Sequence, residues 1–119
     1  ACGVEIAQAM KAAEMLAEQG ISAEVIDAFC VKPLDEQTIL ASLAKTGCGV
    51  VAEEHSMYGG LCSAVSEVVA QKQPCPLEFV AVRDRFGKSG EFDELLRYFE
   101  LDAEAIVQAV KKVRSRVQD

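Results

Sequence analysis

The side chains best suited to chemistry in this chain lie in one short stretch, Glu53-Glu54-His55. His55 is the only histidine, and an imidazole titrates near neutral pH, so a neighbouring carboxylate could orient it for proton transfer. Adjacent side chains of a strand point to opposite faces, however, so at most one of the two glutamates can reach a given partner. We expect His55 to make a loop hydrogen bond or an interface contact, and a catalytic role is the alternative.

A double glycine follows the acidic stretch and precedes a new helical pattern. Gly59 and Gly60 permit positive φ and a close approach of two backbones, and the first N–H groups of the next helix could bind an anion. The glycine-rich patterns of dinucleotide and nucleotide phosphate sites are absent from the sequence. We therefore expect a turn that serves packing, held by Glu53 or Glu54, or a bond from one of these acids to a neighbouring chain.

Residues 83–90 form the second stretch that could bind a ligand. Arg85 and Lys88 could supply positive charge to a small anion, with backbone donors at Ser89. A simpler interpretation makes Ser89 the N-cap of a following helix and pairs Asp84 with a basic neighbour. Contact with another subunit or domain is a third alternative.

The cysteines do not form a metal-binding pattern. There are five of them, with no Cys-x-x-Cys spacing and a single histidine elsewhere, so four close zinc ligands are not expected. Buried, reduced thiols that pack as small hydrophobic groups are the favoured interpretation. A reactive thiol at Cys62, near the start of a helix, is the alternative.

Charge and composition exclude several classes of function. Twelve basic and 19 acidic residues give a net charge of −7, which disfavours nucleic acids and anionic membranes as partners. No apolar run approaches the roughly 20 residues that span a bilayer. The first residues lack the basic region of a secretory signal, so the expected location is cytoplasmic.

Helix and strand patterns alternate along the chain. Val4, Ala7, Met10, Ala13 and Ala17 recur at helical spacing and predict the apolar stripe of a first helix that ends at Gly20. The predicted helices are 4–19, 36–45 between an Asp35 N-cap and a stop at Thr46-Gly47, 60–72, 92–99 and 102–116. The predicted strands are 23–29, 49–53 and 77–82. This alternation predicts an α/β fold of three layers, α/β/α, with a mostly parallel sheet in a single domain, residues 1–119.

An ordered set of motifs gives the chain a family resemblance. Lys32-Pro33-Leu34-Asp35, Glu53-Glu54-His55, Gly59-Gly60-Leu61 and the run 84–90 together resemble the C-terminal domain of transketolases and related thiamine-diphosphate enzymes. Deoxyxylulose-5-phosphate synthase and the β subunits of 2-oxoacid dehydrogenases share this domain and are alternatives. A freestanding module that binds a small anion or a protein is the alternative from another class.

The resemblance implies a function for the parent enzyme. Transketolases transfer two-carbon ketol units between sugar phosphates with thiamine diphosphate and Mg²⁺. In relatives, these cofactors lie between the N-terminal and pyrimidine-binding domains across a dimer interface, away from the C-terminal domain. The resemblance therefore implies a homodimer or split-subunit assembly to which this domain contributes packing.

The same resemblance assigns no catalytic, cofactor-binding or metal-binding residue to this chain. Nine residues remain candidates for interface or anion contacts: Glu53, Glu54, His55, Gly59, Gly60, Asp84, Arg85, Lys88 and Ser89. Related chains also carry an apolar strand just before the position of Gly3, of which only Ala1-Cys2 is present here. The resemblance thus implies a sheet that lacks one or more N-terminal strands in its middle.

Overall fold

The helices and strands of this chain are seen in a computed structural model that describes residues 1–28, 34–56, 60–82, 95–97 and 100–117, with only the backbone described at 55, 56 and 82. The elements are α1 Glu5–Glu18, α2 Glu36–Thr46, β1 Gly49–Ser56, α3 Leu61–Lys72, β2 Leu77–Val82 and α4 Ala103–Val117. Residues 95–97, inside the predicted helix 92–99, are also helical.

Local sequence signals set the ends of the first two helices as predicted. Asp35 caps α2, because its Oδ1 accepts a hydrogen bond from the Thr38 amide at 3.2 Å. Gly47 ends α2 in the left-handed conformation with φ 82°, and Gly20 follows α1 with φ 78°. A glycine occupies this conformation without the steric cost that a Cβ would bring.

The buried face of α1 differs from the predicted stripe. Ala7 and Ala17 are exposed, and Met10 is 53% exposed, whereas Ala12 and Leu16 are each 1% exposed. The prediction was wrong because α1 carries two apolar stripes, and the face with the larger leucine packs into the core. A charged residue, Glu5, lies on that buried face.

Two parallel strands form the regular sheet of the described chain. Gly49 pairs with Leu77 and Ala52 with Val80, and after an irregularity Ser56 pairs with Val82. This last pairing extends β1 three residues beyond its predicted end at Glu53. His55 therefore lies within a strand and not in the predicted loop.

The predicted strand 23–29 is not regular over its described residues, 23–28. Its backbone bonds nonetheless follow a strand pattern with Ala1. The Ala1 ammonium donates to the Ile26 carbonyl at 3.0 Å, and the Ala28 amide donates to the Ala1 carbonyl at 2.8 Å. These two bonds are a single rung of a parallel ladder, too short for a strand.

Apolar clusters cover both faces of the sheet, which confirms the three-layer α/β/α arrangement. One cluster joins α1 and α4 to one face, and its central members are Ala12, Leu16, Ala52, Ile106 and Val107. The other joins α2 and α3 to the opposite face, and its central members are Ile39, Leu43, Val51, Leu61 and Val65. A strand in the middle layer is therefore buried on both sides.

The structure describes four of the five cysteines. Of the four cysteines in the described ranges, Cys62 is buried, as predicted, whereas Cys2, Cys48 and Cys75 are only partly buried. Within those ranges, none of the four is joined to another by a disulfide. Cys30 lies outside those ranges.

Among the described helices, none combines the length and the hydrophobicity needed to cross a bilayer.

Candidate functional site

The turn between β1 and α3 is built around a buried carboxylate. Glu53 is 2% exposed, and its Oε2 accepts a hydrogen bond from the Cys62 amide at 2.7 Å. Gly60, the N-cap of α3, has no side chain to do this. Glu53 thus caps α3 from the preceding strand, where the positive end of the helix dipole favours a negative charge.

Gly60 leaves the space that the Glu53 carboxylate occupies. Its φ of −107° is outside the left-handed region that favours glycine. A Cβ at this position would lie 3.1 Å from both Cδ and Oε2 of Glu53 and closer still to Oε1. The absence of a side chain at Gly60 lets the carboxylate of Glu53 reach the helix, as expected for a packing turn.

Glu54 points away from this turn, as the alternation along a strand requires. It is exposed, and its Oε1 lies 3.1 Å from the place that a Cβ at Gly3 would occupy. Gly3 has φ 61° and precedes α1, so Glu54 lies beside the start of that helix. The two adjacent glutamates therefore lie near the starts of different helices.

A second buried carboxylate, which sequence reasoning missed, lies near Glu54. Glu5 is 0% exposed, and within the described chain neither of its oxygens has a hydrogen-bond partner. Burial, together with the nearby carboxylates of Glu54 and Asp102, raises the pKa of Glu5 to about 7. In the sequence, an acid in the first turn of a helix looks like an ordinary exposed residue, so nothing there signals its burial.

The structure describes only some of the candidate residues that the sequence predicted. Glu53, Glu54, Gly60 and the backbone of His55 are described, and the first two lie on opposite faces of β1. The other five candidates, Gly59, Asp84, Arg85, Lys88 and Ser89, lie outside the described residues. Because Ser56 pairs with Val82, the chain leaves β1 and β2 at the same edge of the sheet.

The fit of a divalent metal can be judged over residues 1–28, 34–56, 60–82, 95–97 and 100–117. In those ranges no three His, Cys, Asp or Glu side chains are placed to hold a metal ion. The carboxylate of Glu53 already accepts the bond from the α3 amide. The described residues therefore offer no ligand set into which Mg²⁺ fits.

Comparison with known proteins identifies a family that covers most of the chain. Residues 1–106 match the family model described as transketolase, C-terminal domain. A 6-deoxy-6-sulfo-D-fructose transketolase subunit from a Clostridium species, strain MSTE9, is 47% identical over 98% of this chain and 36% of its own length. A 1-deoxy-D-xylulose-5-phosphate synthase of Geobacter sulfurreducens is 38% identical over 93% of this chain and 18% of its own length.

A solved structure shares the fold. It is described as a split gene transketolase, inactive beta4 tetramer, and it superimposes with a TM-score of 0.91 at 43% sequence identity. The match covers 94% of this chain and 37% of the solved chain. The chain thus spans little more than a third of the length of this structure and of the clostridial relative.

Proposed function

Because the chain belongs to the transketolase C-terminal domain family, we propose that it is the C-terminal domain of a thiamine-diphosphate-dependent transketolase. The parent enzyme transfers two-carbon ketol units between sugar phosphates, and this domain takes part in its assembly and not in its chemistry. The proposal that this domain does not take part in the chemistry rests on the hydrogen bond between Glu53 and the Cys62 amide. The carboxylate best placed for chemistry is used to hold a helix.

The proposed partners are the N-terminal and pyrimidine-binding domains of the same enzyme, which hold thiamine diphosphate and Mg²⁺. Two relatives support an enzyme split into separate polypeptides: one is named a transketolase subunit, and the other is described as the product of a split gene. The assembled enzyme is a dimer of such units or a larger split-subunit assembly. Its location is the cytoplasm.

The proposed contact surface is the edge of the sheet at which β1 and β2 end. Glu54 is exposed at this edge, where the last residues of the two strands, Ser56 and Val82, pair with each other. Loops at the carboxyl ends of parallel strands are where ligands and partner chains gather in α/β folds. His55, Gly59 and residues 84–89 are the further candidates for this surface.

Reconstitution tests the proposal. The chain is mixed with the thiamine-binding part of the enzyme, thiamine diphosphate and Mg²⁺, and the transfer of a ketol unit between two sugar phosphates is measured. We expect activity and a larger complex in the mixture, and no activity from this chain alone. Activity of the thiamine-binding part that does not change when this chain is omitted would contradict the proposal.

The relative from Geobacter supplies a second candidate function. In that case the same mixture forms 1-deoxy-D-xylulose 5-phosphate and does not exchange ketol units between sugar phosphates. Product analysis of the reconstituted enzyme separates the two functions. The role of this domain in assembly is the same in both.

Calorimetry tests the placement of the cofactor. Titration of the isolated chain with thiamine diphosphate and Mg²⁺ is expected to release no heat and to leave the melting temperature unchanged. Binding in the micromolar range would contradict the placement of the cofactor in the other domains.

A further inference from the structure

Three carboxylates lie close together at the corner of the domain where α1 and α4 begin. Glu5 is in the first turn of α1, Asp102 immediately precedes α4, and Glu54 is near the carboxyl end of β1. The two helix starts are tied to each other, because Gln8 Oε1 of α1 accepts a hydrogen bond from the Ala103 amide at 2.9 Å. We call the side chains of Glu5, Glu54 and Asp102 the acidic corner.

The three members of the acidic corner differ in their partners. Asp102 caps α4, because its Oδ1 accepts a hydrogen bond from the Ala105 amide at 3.0 Å. Glu54 is exposed to solvent. Glu5 is 0% exposed, and neither of its oxygens has a partner within the described chain. The member that is hidden from water is thus the one without a hydrogen bond, which is unfavourable for a polar group.

The charges that act on Glu5 come from three directions. The carboxylates of Glu54 in β1 and of Asp102 before α4 oppose its ionisation, and the Ala1 ammonium favours it. That ammonium already donates a hydrogen bond to the Ile26 carbonyl at 3.0 Å. Among the described residues, no lysine or arginine acts on Glu5. Because its pKa is about 7, Glu5 is about half protonated at neutral pH, and a further positive charge nearby would ionise it.

The chemistry of the corner suits an organic cation better than a metal ion. Over the part of the chain that the structure describes, no three acidic, histidine or cysteine side chains are placed to hold a metal. A guanidinium or ammonium group has several N–H donors on a long stem, so it can serve acceptors that are spread apart. Glu54, as the exposed member, gives such a group access from solvent.

Resting on the assembly proposed above, we propose that the acidic corner binds a lysine or arginine side chain of the thiamine-binding part of the enzyme, and that Glu5 releases a proton to solvent when this side chain arrives. The cation pairs with the carboxylate of Glu54. It replaces the proton as the positive charge that balances Glu5. The corner is continuous with the proposed contact surface, because Glu54 belongs to both.

Cation binding and ionisation of Glu5 are linked, so the affinity depends on pH. The ionised corner attracts a cation more strongly, and the affinity therefore rises as the pH rises through 7. If binding lowers the pKa of Glu5 from about 7 to about 6, Kd falls about fivefold between pH 6 and pH 8. About 0.4 proton is then released per complex at pH 7.

Calorimetric titration of this chain with the thiamine-binding part tests the proposal. Kd is measured at pH 6, 7 and 8, and the heat at pH 7 is compared in two buffers of different ionisation enthalpy, which gives the number of protons released. Glu5→Gln keeps the shape of the side chain and has no proton to release. We expect this variant to lose the part of the pH dependence and of the proton release that is due to Glu5. Glu14→Gln, at an exposed position of α1, is the matched control and is expected to behave as the parent chain.

Variants of the other two members test which carboxylate receives the cation. Glu54→Gln removes the exposed charge, so we expect Kd at pH 8 to rise by at least about fivefold. Asp102→Asn keeps an N-cap for α4, because asparagine caps helices as well as aspartate does. Its Kd is expected to rise less than that of Glu54→Gln. An unchanged Kd in Glu54→Gln would overturn the proposal.

The outcomes separate this proposal from the proposed function. A complex that forms with the same pH dependence and proton release in the parent chain and in Glu5→Gln would overturn the acidic corner as a docking site and leave the proposed function intact. A Glu5 carboxyl that is already ionised at pH 6 in the isolated chain, seen in its carbon-13 NMR shift, would also overturn it, because the charge would then be balanced within this chain. Absence of a complex at every pH would contradict the proposed function and this proposal together.

Discussion

Two buried glutamates, at the β1–α3 turn and at the start of α1, have opposite surroundings. Glu53 is 2% exposed and accepts the Cys62 amide at 2.7 Å, beside the positive end of a helix dipole. Glu5 is 0% exposed, has no partner within the described chain, and faces the carboxylates of Glu54 and Asp102. Burial alone therefore does not say whether an acid stabilises a fold. The nearest hydrogen-bond donors and charges decide whether its contribution to the free energy of unfolding is favourable or unfavourable.

Removal of the Glu53 carboxylate is expected to have the largest effect. Glu53→Ala leaves the Cys62 amide without its acceptor and opens a gap, so the free energy of unfolding falls by about 2–4 kcal/mol. Urea unfolding at pH 7 measures this change, with the exposed Glu18→Ala as the matched control. A loss equal to that of the control would mean that Glu53 does not hold α3.

Gly60→Ala tests the same turn from the other side. The new methyl group meets the Glu53 carboxylate, so we expect a loss of about 2 kcal/mol. In the double variant Glu53→Ala, Gly60→Ala, the loss of unfolding free energy is expected to be smaller than the sum of the two single losses, because the clash is gone. Strict additivity in a double-mutant cycle would show that the glycine serves another purpose.

Glu5→Gln is expected to stabilise the chain at high pH. The pKa of Glu5 is about 7 in the fold against its usual value of 4.5, so between these pH values the folded state keeps a proton that the unfolded state has released. Stability therefore falls as the pH rises through this window, and the glutamine variant does not share the fall. We expect a gain of about 1–2 kcal/mol at pH 8 and little change at pH 4.

Urea unfolding of both chains at several pH values measures this difference. Glu14→Gln, at an exposed position of the same helix, is the control. A variant that is less stable than the parent chain at pH 8 would show that Glu5 accepts a hydrogen bond there.

Asp35→Ala is expected to have the smallest effect on stability. Asp35 is an exposed helix cap, so it provides a reference for the buried cap at Glu53. The hydroxyl and the amide of Thr38 hold the pKa of Asp35 below its usual value, so its contribution is present at neutral pH and lost as the pH falls. We expect a decrease in the urea midpoint at pH 7 that is smaller than that of Glu53→Ala and disappears in acid. A larger decrease than at Glu53 would reverse the ranking.

Much of the fold followed from local signals. The caps at Asp35 and Gly47, the α3 helix and the β2 strand depend on neighbours in sequence, and each lies where it was predicted. The buried face of α1 and the length of β1 depend on distant partners: Leu16 packs with α4, and Ser56 pairs with Val82. Residues 23–28 have strand propensity, but within the described part of the chain no strand pairs with them over most of their length.

The candidate site was predictable to a smaller extent. The strand alternation correctly separated Glu53 from Glu54, and the glycine turn correctly indicated a close approach. The choice of Glu53 as the acid that caps α3 needed the three-dimensional turn, because either glutamate fitted the pattern. Glu5 required knowledge of which face of α1 is buried.

The most direct test of the central claim is the kinetics of the reconstituted enzyme with Glu53→Gln in this chain. If the domain serves assembly, the fraction of assembled enzyme and the total activity fall together, and kcat per assembled enzyme stays within about twofold of the parent, as with the control Glu18→Gln. A complex that assembles fully and loses more than about tenfold in kcat would contradict the account, because Glu53 would then act on the reacting atoms.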